Sequence, residues 1–244
     1  MADLLIKGGT IVDGTGGKPF VGDIAVQGVR IMEVGRHIAE PASRVIAADG
    51  LLVTPGFVDI HTHYDGQVTW DDRLDPSVSH GVTSLVMGNC GVGFAPVRCG
   101  KEDELIKLME GVEDIPGAAL SEGLQWSWNT FPEYLEALSS RHYAVDVGTQ
   151  IPHGAIRPYV MGERGFLNQR ASDDEVAQMS QLVEEAVRNG ALGVSTSRSE
   201  AHESITGEAV PGTFAEQREL MALAEGRDTG ARPGRLIRRH SIKP

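Results

Sequence analysis

Two patterns of apolar and polar positions follow one another along this chain. Up to about residue 54, short β-type runs alternate with turn residues, over residues 4–7, 10–12, 23–26, 30–34, 44–47 and 51–53. The separators Gly8-Gly9, Asp13-Gly14, Gly16-Gly17, Gly28 and Asp49-Gly50 carry the turn chemistry of tight hairpins, which predicts a small β-rich unit. From residue 55 the pattern changes to apolar strands alternating with helical periods. Strands are predicted over residues 57–61, 84–87, 144–150 and 192–196, and helices over 103–112, 132–139, 172–189 and 214–224.

The helix at 172–189 has the clearest boundaries. Ser172 is its N-cap, Glu175 the capping-box partner three residues on, and Asn189-Gly190 its stop. Val176, Met179, Leu182, Val183, Ala186 and Val187 form the stripe it should bury. Strands alternating with helices predict an α/β fold with a parallel sheet, either an open doubly wound sheet or a (β/α) barrel. A closed barrel takes roughly 250 residues and eight units, whereas four strand–helix units are legible here. A half-barrel would leave an exposed edge strand through which the chain could self-associate.

Composition narrows the function classes. The 244 residues are 41% hydrophobic with a net charge of −12, which suits a globular chain and argues against nucleic-acid or anionic-membrane partners. No run approaches the roughly 20 apolar residues of a membrane span, and the start lacks a basic, cleavable leader, so a cytoplasmic location is expected. Two cysteines, Cys90 and Cys99, make a poor disulfide framework and leave Cys90 free for metal or nucleophilic chemistry. Charge is unevenly distributed: residues 227–244 hold six Lys or Arg (Arg227, Arg232, Arg235, Arg238, Arg239, Lys243) against the single acid Asp228. Without aromatic residues or an amphipathic period, this end reads as a basic tail foreign to the fold.

Candidate chemistry collects at two strand ends. Pro55-Gly56-Phe57-Val58-Asp59-Ile60-His61-Thr62-His63 reads as a buried apolar strand ending in two histidines at i and i+2. Alternation puts both on one face, where they can grip one metal ion such as Zn²⁺. A second apolar run, from Ser84 to Met87, ends in Gly88-Asn89-Cys90-Gly91, whose thiolate offers a third ligand. His153 and Arg157 follow the third strand and are candidates to face a substrate. His37, His80, His142 and His240 read as packed or solvated, and His202-Glu203 as a solvated loop lacking a zincin's second histidine.

Several separated motifs, in order, resemble one family. Leu5-Ile6-Lys7-Gly8-Gly9-Thr10-Ile11-Val12-Asp13-Gly14 and the stretch from Val53 to His63 look like the opening of a metal-dependent amidohydrolase. His63-Tyr64-Asp65, Gly81-Val82-Thr83 and Gly88-Asn89-Cys90-Gly91 most resemble the D-aminoacylases, the N-acyl-D-amino-acid deacylases. The likeness extends through residues 126–135, 153–162 and 190–196 to about residue 225. It implies a zinc-dependent TIM barrel with a small β-sandwich subdomain, hydrolysing the amide of a small-molecule N-acyl-D-amino acid. By the same resemblance His61 and His63 are the first two metal ligands, and Cys90 replaces the carbamylated lysine of other relatives. The family's two further histidine ligands and its general-base aspartate lie beyond the end of this chain. The expected organisation is an incomplete sandwich subdomain at 1–54, the first half of a (β/α)8 barrel at 55–226, and a non-family tail at 227–244. Such a truncated chain is expected to lack activity alone. The rival readings are a hydantoinase-like or dihydropyrimidinase-like cyclic-amide hydrolase and a non-catalytic metal-binding or interaction fragment.

Overall fold

The structure, a computed structural model, describes residues 1–230 and Ile237. Of the basic tail, Arg232, Arg235, Arg238, Arg239, His240 and Lys243 lie outside the described residues. The chain divides into two compact units, Met1–Gly56 and a second beginning at Phe57.

The first unit is one sheet of β1 (Ala2–Ile11), β2 (Phe20–Gln27), β3 (Arg30–Gly35), β4 (Ala42–Ala47) and β5 (Leu52–Val53), ordered β3-β2-β1-β4 with β5 also on β1. Hairpin turns predict antiparallel neighbours throughout, yet β1 pairs antiparallel only with β2 and parallel with β4 and β5. Gly8-Gly9 is no turn either. Gly8 sits at φ +74°, and the register slips between Ile6 and Gly9, so a glycine bulge lets β1 run on as one strand. Buried Asp23 fixes the bulge by accepting N–H bonds from Gly8 and Ile38, both 2.9 Å. Ala2, Leu5, Ala25 and Ile38 form the small core of this unit, while Ile31, Met32, Val45 and Leu52 stay more than half exposed.

In the second unit β6 (Phe57–Asp59), β7 (Val82–Met87) and β8 (Asp146–Thr149) pair parallel in chain order. One residue after β8, β9 (Ile151–Pro152) pairs parallel with β10 (Val194–Ser195), and Leu192 N–H bonds Thr149 O at 2.9 Å. The four predicted strands thus lie side by side in sequence order; three are shorter than predicted, while β7 begins two residues earlier, at Val82. The apolar residues of β6, and Ile60 just after it, are not buried: Phe57, Val58 and Ile60 are 59%, 63% and 71% exposed. Among the described residues β6 pairs only with β7, so one edge and much of its surface stay uncovered.

The helices are α1 (Glu102–Glu113), α2 (Gly117–Gly123), α3 (Phe131–Ser139), α4 (His153–Met161), α5 (Glu163–Phe166), α6 (Asp173–Asn189) and α7 (Gln217–Gly230). The predicted capping box of α6 is formed, Ser172 N–H donating to Glu175 at 2.8 Å and Glu175 N–H to the Ser172 hydroxyl at 3.3 Å. Val176, Met179, Val183, Ala186 and Val187 are buried and Leu182 partly so; each large side chain of that stripe contributes about 1.5–3 kcal/mol. The pattern missed α4 for a physical reason. It is buried nearly all round, from His153 to Pro158 and at Met161, so it has no polar face to reveal a period, and it contains Pro158. Helix α7 continues across residue 226, where the tail was predicted to begin, and carries Arg227 and Asp228 in its last turn.

Candidate metal centre

Both predicted ligand groups stand just past the C-terminal ends of neighbouring strands. Beyond Asp59 the chain stays tied to β7, because Thr62 donates its N–H (3.0 Å) and its hydroxyl (2.8 Å) to Val86 O. Thr62 is buried. Its neighbours His61 and His63 turn the other way, their rings 5.4 Å apart between centroids. Cys90 occupies a turn that only a special backbone allows, with φ +75° at Gly88, +53° at Cys90 and +73° at Gly91. A Cβ on Gly88 would lie 2.2 Å from Gln150 O, so the close approach of β7 to β8 excludes any side chain there. Buried Asn89 locks the same turn: its amide donates to Val86 O at 3.0 Å and Thr62 O at 3.3 Å, and its oxygen accepts from Gln150 Nε2 at 2.8 Å.

The structure brings His61, His63 and Cys90 together, their donor atoms all within 4.8 Å of one another. His61 Nε2 lies 3.2 Å from Cys90 Sγ. Two donors on a tetrahedral zinc, at bond lengths of about 2.0–2.3 Å, stand roughly 3.3–3.6 Å apart, so this pair needs only a small shift. His63 Nε2 lies 3.2 Å from Glu113 Oε1, and its buried Nδ1 has no hydrogen-bond partner among the described residues. A buried imidazole with an unused nitrogen, beside a second imidazole and a thiol, suits zinc or a thiophilic neighbour of it.

Electrostatics favour neutral donors. Burial, with His61 and His202 adding to it, pushes His63 down to about 4, so its ring is neutral at physiological pH. Burial also raises the Cys90 thiol, as do the Glu113 and Asp65 charges. Asp65 is fully enclosed, and burial lifts its carboxyl to about 8. Sequence reasoning missed Glu113, at the end of α1, and dismissed His202. Glu113 follows an ordinary amphipathic stripe, and nothing local marks a residue 50 positions from His63 as its neighbour. His202, held by Ser197 Oγ at 3.0 Å, was readable only as loop.

His153 and Arg157 have a different setting. Both are buried on α4 and converge on Glu219 of α7: His153 Nε2 lies 2.8 Å from its Oε1, and Arg157 donates to the same oxygen. His153 Nδ1 meets Thr196 Oγ1 at 2.9 Å. Burial lowers the pKa of His153, against the pull of Glu219. Both side chains bond Glu219 inside the fold and link α4 to α7, where the sequence predicted a pair facing substrate.

The amidohydrolase family profile matches residues 44–231, beyond the predicted limit at 226. The chain belongs to the amidohydrolase family. Within that family it is similar to the D-aminoacylase of Alcaligenes xylosoxydans xylosoxydans, 36% identical over 194 residues that make up 80% of this chain and 37% of that protein. A crystal structure of D-aminoacylase, described as defining a novel subset of amidohydrolases, superposes with a TM-score of 0.76 at 31% identity, covering 94% of this chain and 44% of that one. The N-acyl-D-glutamate deacylase of Bordetella bronchiseptica, solved with zinc and a phosphonate mimic of the tetrahedral intermediate, gives 0.70 at 29% identity, covering 92% of this chain and 42% of that one. The α/β amidohydrolase fold seen here is that of these D-aminoacylases. The chain spans less than half the length of these D-aminoacylase relatives. No helix among the described residues is long and apolar enough to cross a membrane.

Proposed function

We propose that this chain is the metal-binding N-terminal part of a zinc-dependent amidohydrolase that cleaves the amide bond of N-acyl-D-amino acids. The observation that carries the reading is the convergence of His61, His63 and Cys90 within 4.8 Å at two adjacent strand ends of a fold similar to D-aminoacylase. In this reading His61 and His63 give neutral imidazole nitrogens and Cys90 a thiolate, while Glu113 orients the His63 ring as a carboxylate beside a metal-ligating histidine does. Zinc bound there would supply Lewis-acid polarisation of the substrate carbonyl. The parallel strands of the second unit are then the opening strands of a barrel, with ligands at their C-terminal ends, where barrel enzymes place their chemistry. The first unit is one sheet of a sandwich subdomain.

The cyclic-amide reading is weaker because Cys90, in Gly-Asn-Cys-Gly, belongs to the D-aminoacylase pattern. A chimera tests both, with residues 1–230 joined to the remaining C-terminal part of the Alcaligenes D-aminoacylase and loaded with zinc. The expected result is D-amino acid released from an N-acetyl-D-amino acid and none from its L enantiomer. A folded, zinc-loaded chimera that opens a hydantoin ring instead, or hydrolyses neither, would overturn the assignment. The 244-residue chain alone is expected to bind zinc.

A further inference from the structure

Ser195, the last residue of β10, spends its hydroxyl on the turn that carries Cys90. The oxygen accepts the N–H of Gly91 at 3.1 Å, and the hydroxyl donates to the carbonyl of Gly88. One side chain, 104 residues from Gly91 in sequence, thus closes both sides of Asn89-Cys90. The turn needs such closure. Cys90 is a non-glycine residue at φ +53°, a conformation that costs about 1–2 kcal/mol and persists only where neighbours over-determine it. Asn89 and Gln150 fix the turn from β8, and Ser195 fixes it from the next strand. Pairing of β10 with β9 is made by backbone, so the sheet itself does not require this hydroxyl.

We propose that Ser195 is a positioning residue for the Cys90 thiolate, holding Sγ toward His61 and His63 so that a metal finds its sulfur ligand already aimed. The proposal rests on the reading of His61, His63 and Cys90 as a metal site. It assigns β10 a part in the chemistry of β7 without giving it a ligand.

The test uses the 244-residue chain as wild type, Ser195→Ala, Cys90→Ala and the double variant, each titrated with Zn²⁺ by calorimetry and with Co²⁺ by absorption. Ser195→Ala is expected to weaken zinc binding by about 10–100-fold, the range for loss of a group that orients a ligand, and to diminish the thiolate-to-cobalt charge-transfer band. In the Cys90→Ala background the same change is expected to have no further effect, and Ser195→Thr, which keeps the hydroxyl, should restore the band. If Ser195→Ala does not fold, Ser195→Val removes the hydroxyl while keeping a strand-favouring side chain, and the same outcomes apply. Wild-type affinity and an unchanged band in the folded variant would overturn the proposal. So would an equal loss with Cys90 absent, which would make Ser195 merely structural. A wild-type chain that binds no zinc would overturn the metal reading itself, a result distinct from either.

Discussion

His61 and His63 follow an edge strand whose Phe57 and Val58, with Ile60 just beyond, are 59–71% exposed, whereas Cys90 sits in a turn bonded to Thr62, Val86, Gln150 and Ser195. Both arms belong to one candidate site, but only the thiol arm is locked by side chains from strands on its far side. On the imidazole arm the backbone is tied through Thr62 to Val86 and the His63 ring meets Glu113, while the exposed His61 ring has only Cys90 as a side-chain hydrogen-bond neighbour among the described residues. A ligand already held loses little freedom on binding metal, while a mobile one must be ordered at that moment. The difference teaches that, in these 244 residues, Cys90 is the pre-organised ligand and His61 the adaptable one.

The harshest way to break the contrast is Gly88→Ala. Its Cβ would meet Gln150 O at 2.2 Å on a backbone at φ +75°, so a loss of at least 2–3 kcal/mol, roughly, is expected in chemical denaturation, together with loss of zinc binding. Similar in size is the packing difference between the two strands. Leu85→Ala on β7, fully buried, should cost about 2–5 kcal/mol, and Phe57→Ser on β6 no more than about 0.5 kcal/mol.

Ligand removal gives a finer comparison. Cys90→Ala should reduce zinc affinity by about 100-fold or more, and His61→Ala by clearly less, since the locked donor contributes more of the binding free energy. Equal losses in calorimetric titration would remove the distinction between the arms.

The smallest effect expected is on pH dependence. Burial keeps His63 neutral down to about pH 4, so protons do not compete for it at pH 6–8. Burial raises the Cys90 thiol above its ordinary range, so zinc must displace a proton there. Zinc affinity should therefore rise with pH by up to about tenfold per unit between pH 6 and 8, and Cys90→Ala should remove most of that slope.

The same contrast explains what was legible in the sequence. The Ser172 capping box, the α6 stripe and the His61/His63 spacing are local patterns, and each survives in the structure. The Cys90 position could be read because it closes an apolar run at a strand end. What could not be read is whatever depends on distant chain. Ser195 reaches Gly91 across 104 residues, and Glu113 reaches His63 across 50, with no local pattern to mark either. Helix α4 escaped because complete burial removes its period, and β6 looked buried because apolar composition cannot say whether a covering layer is present. Gly8 looked like a turn because a bulge and a turn call for the same residue.

The most direct test of the central claim is zinc K-edge X-ray absorption on the zinc-loaded chain. The account predicts one sulfur at about 2.3 Å together with nitrogen neighbours at about 2.0–2.1 Å, and loss of the sulfur shell in Cys90→Ala. A first shell of nitrogen and oxygen alone in the wild-type chain would contradict it.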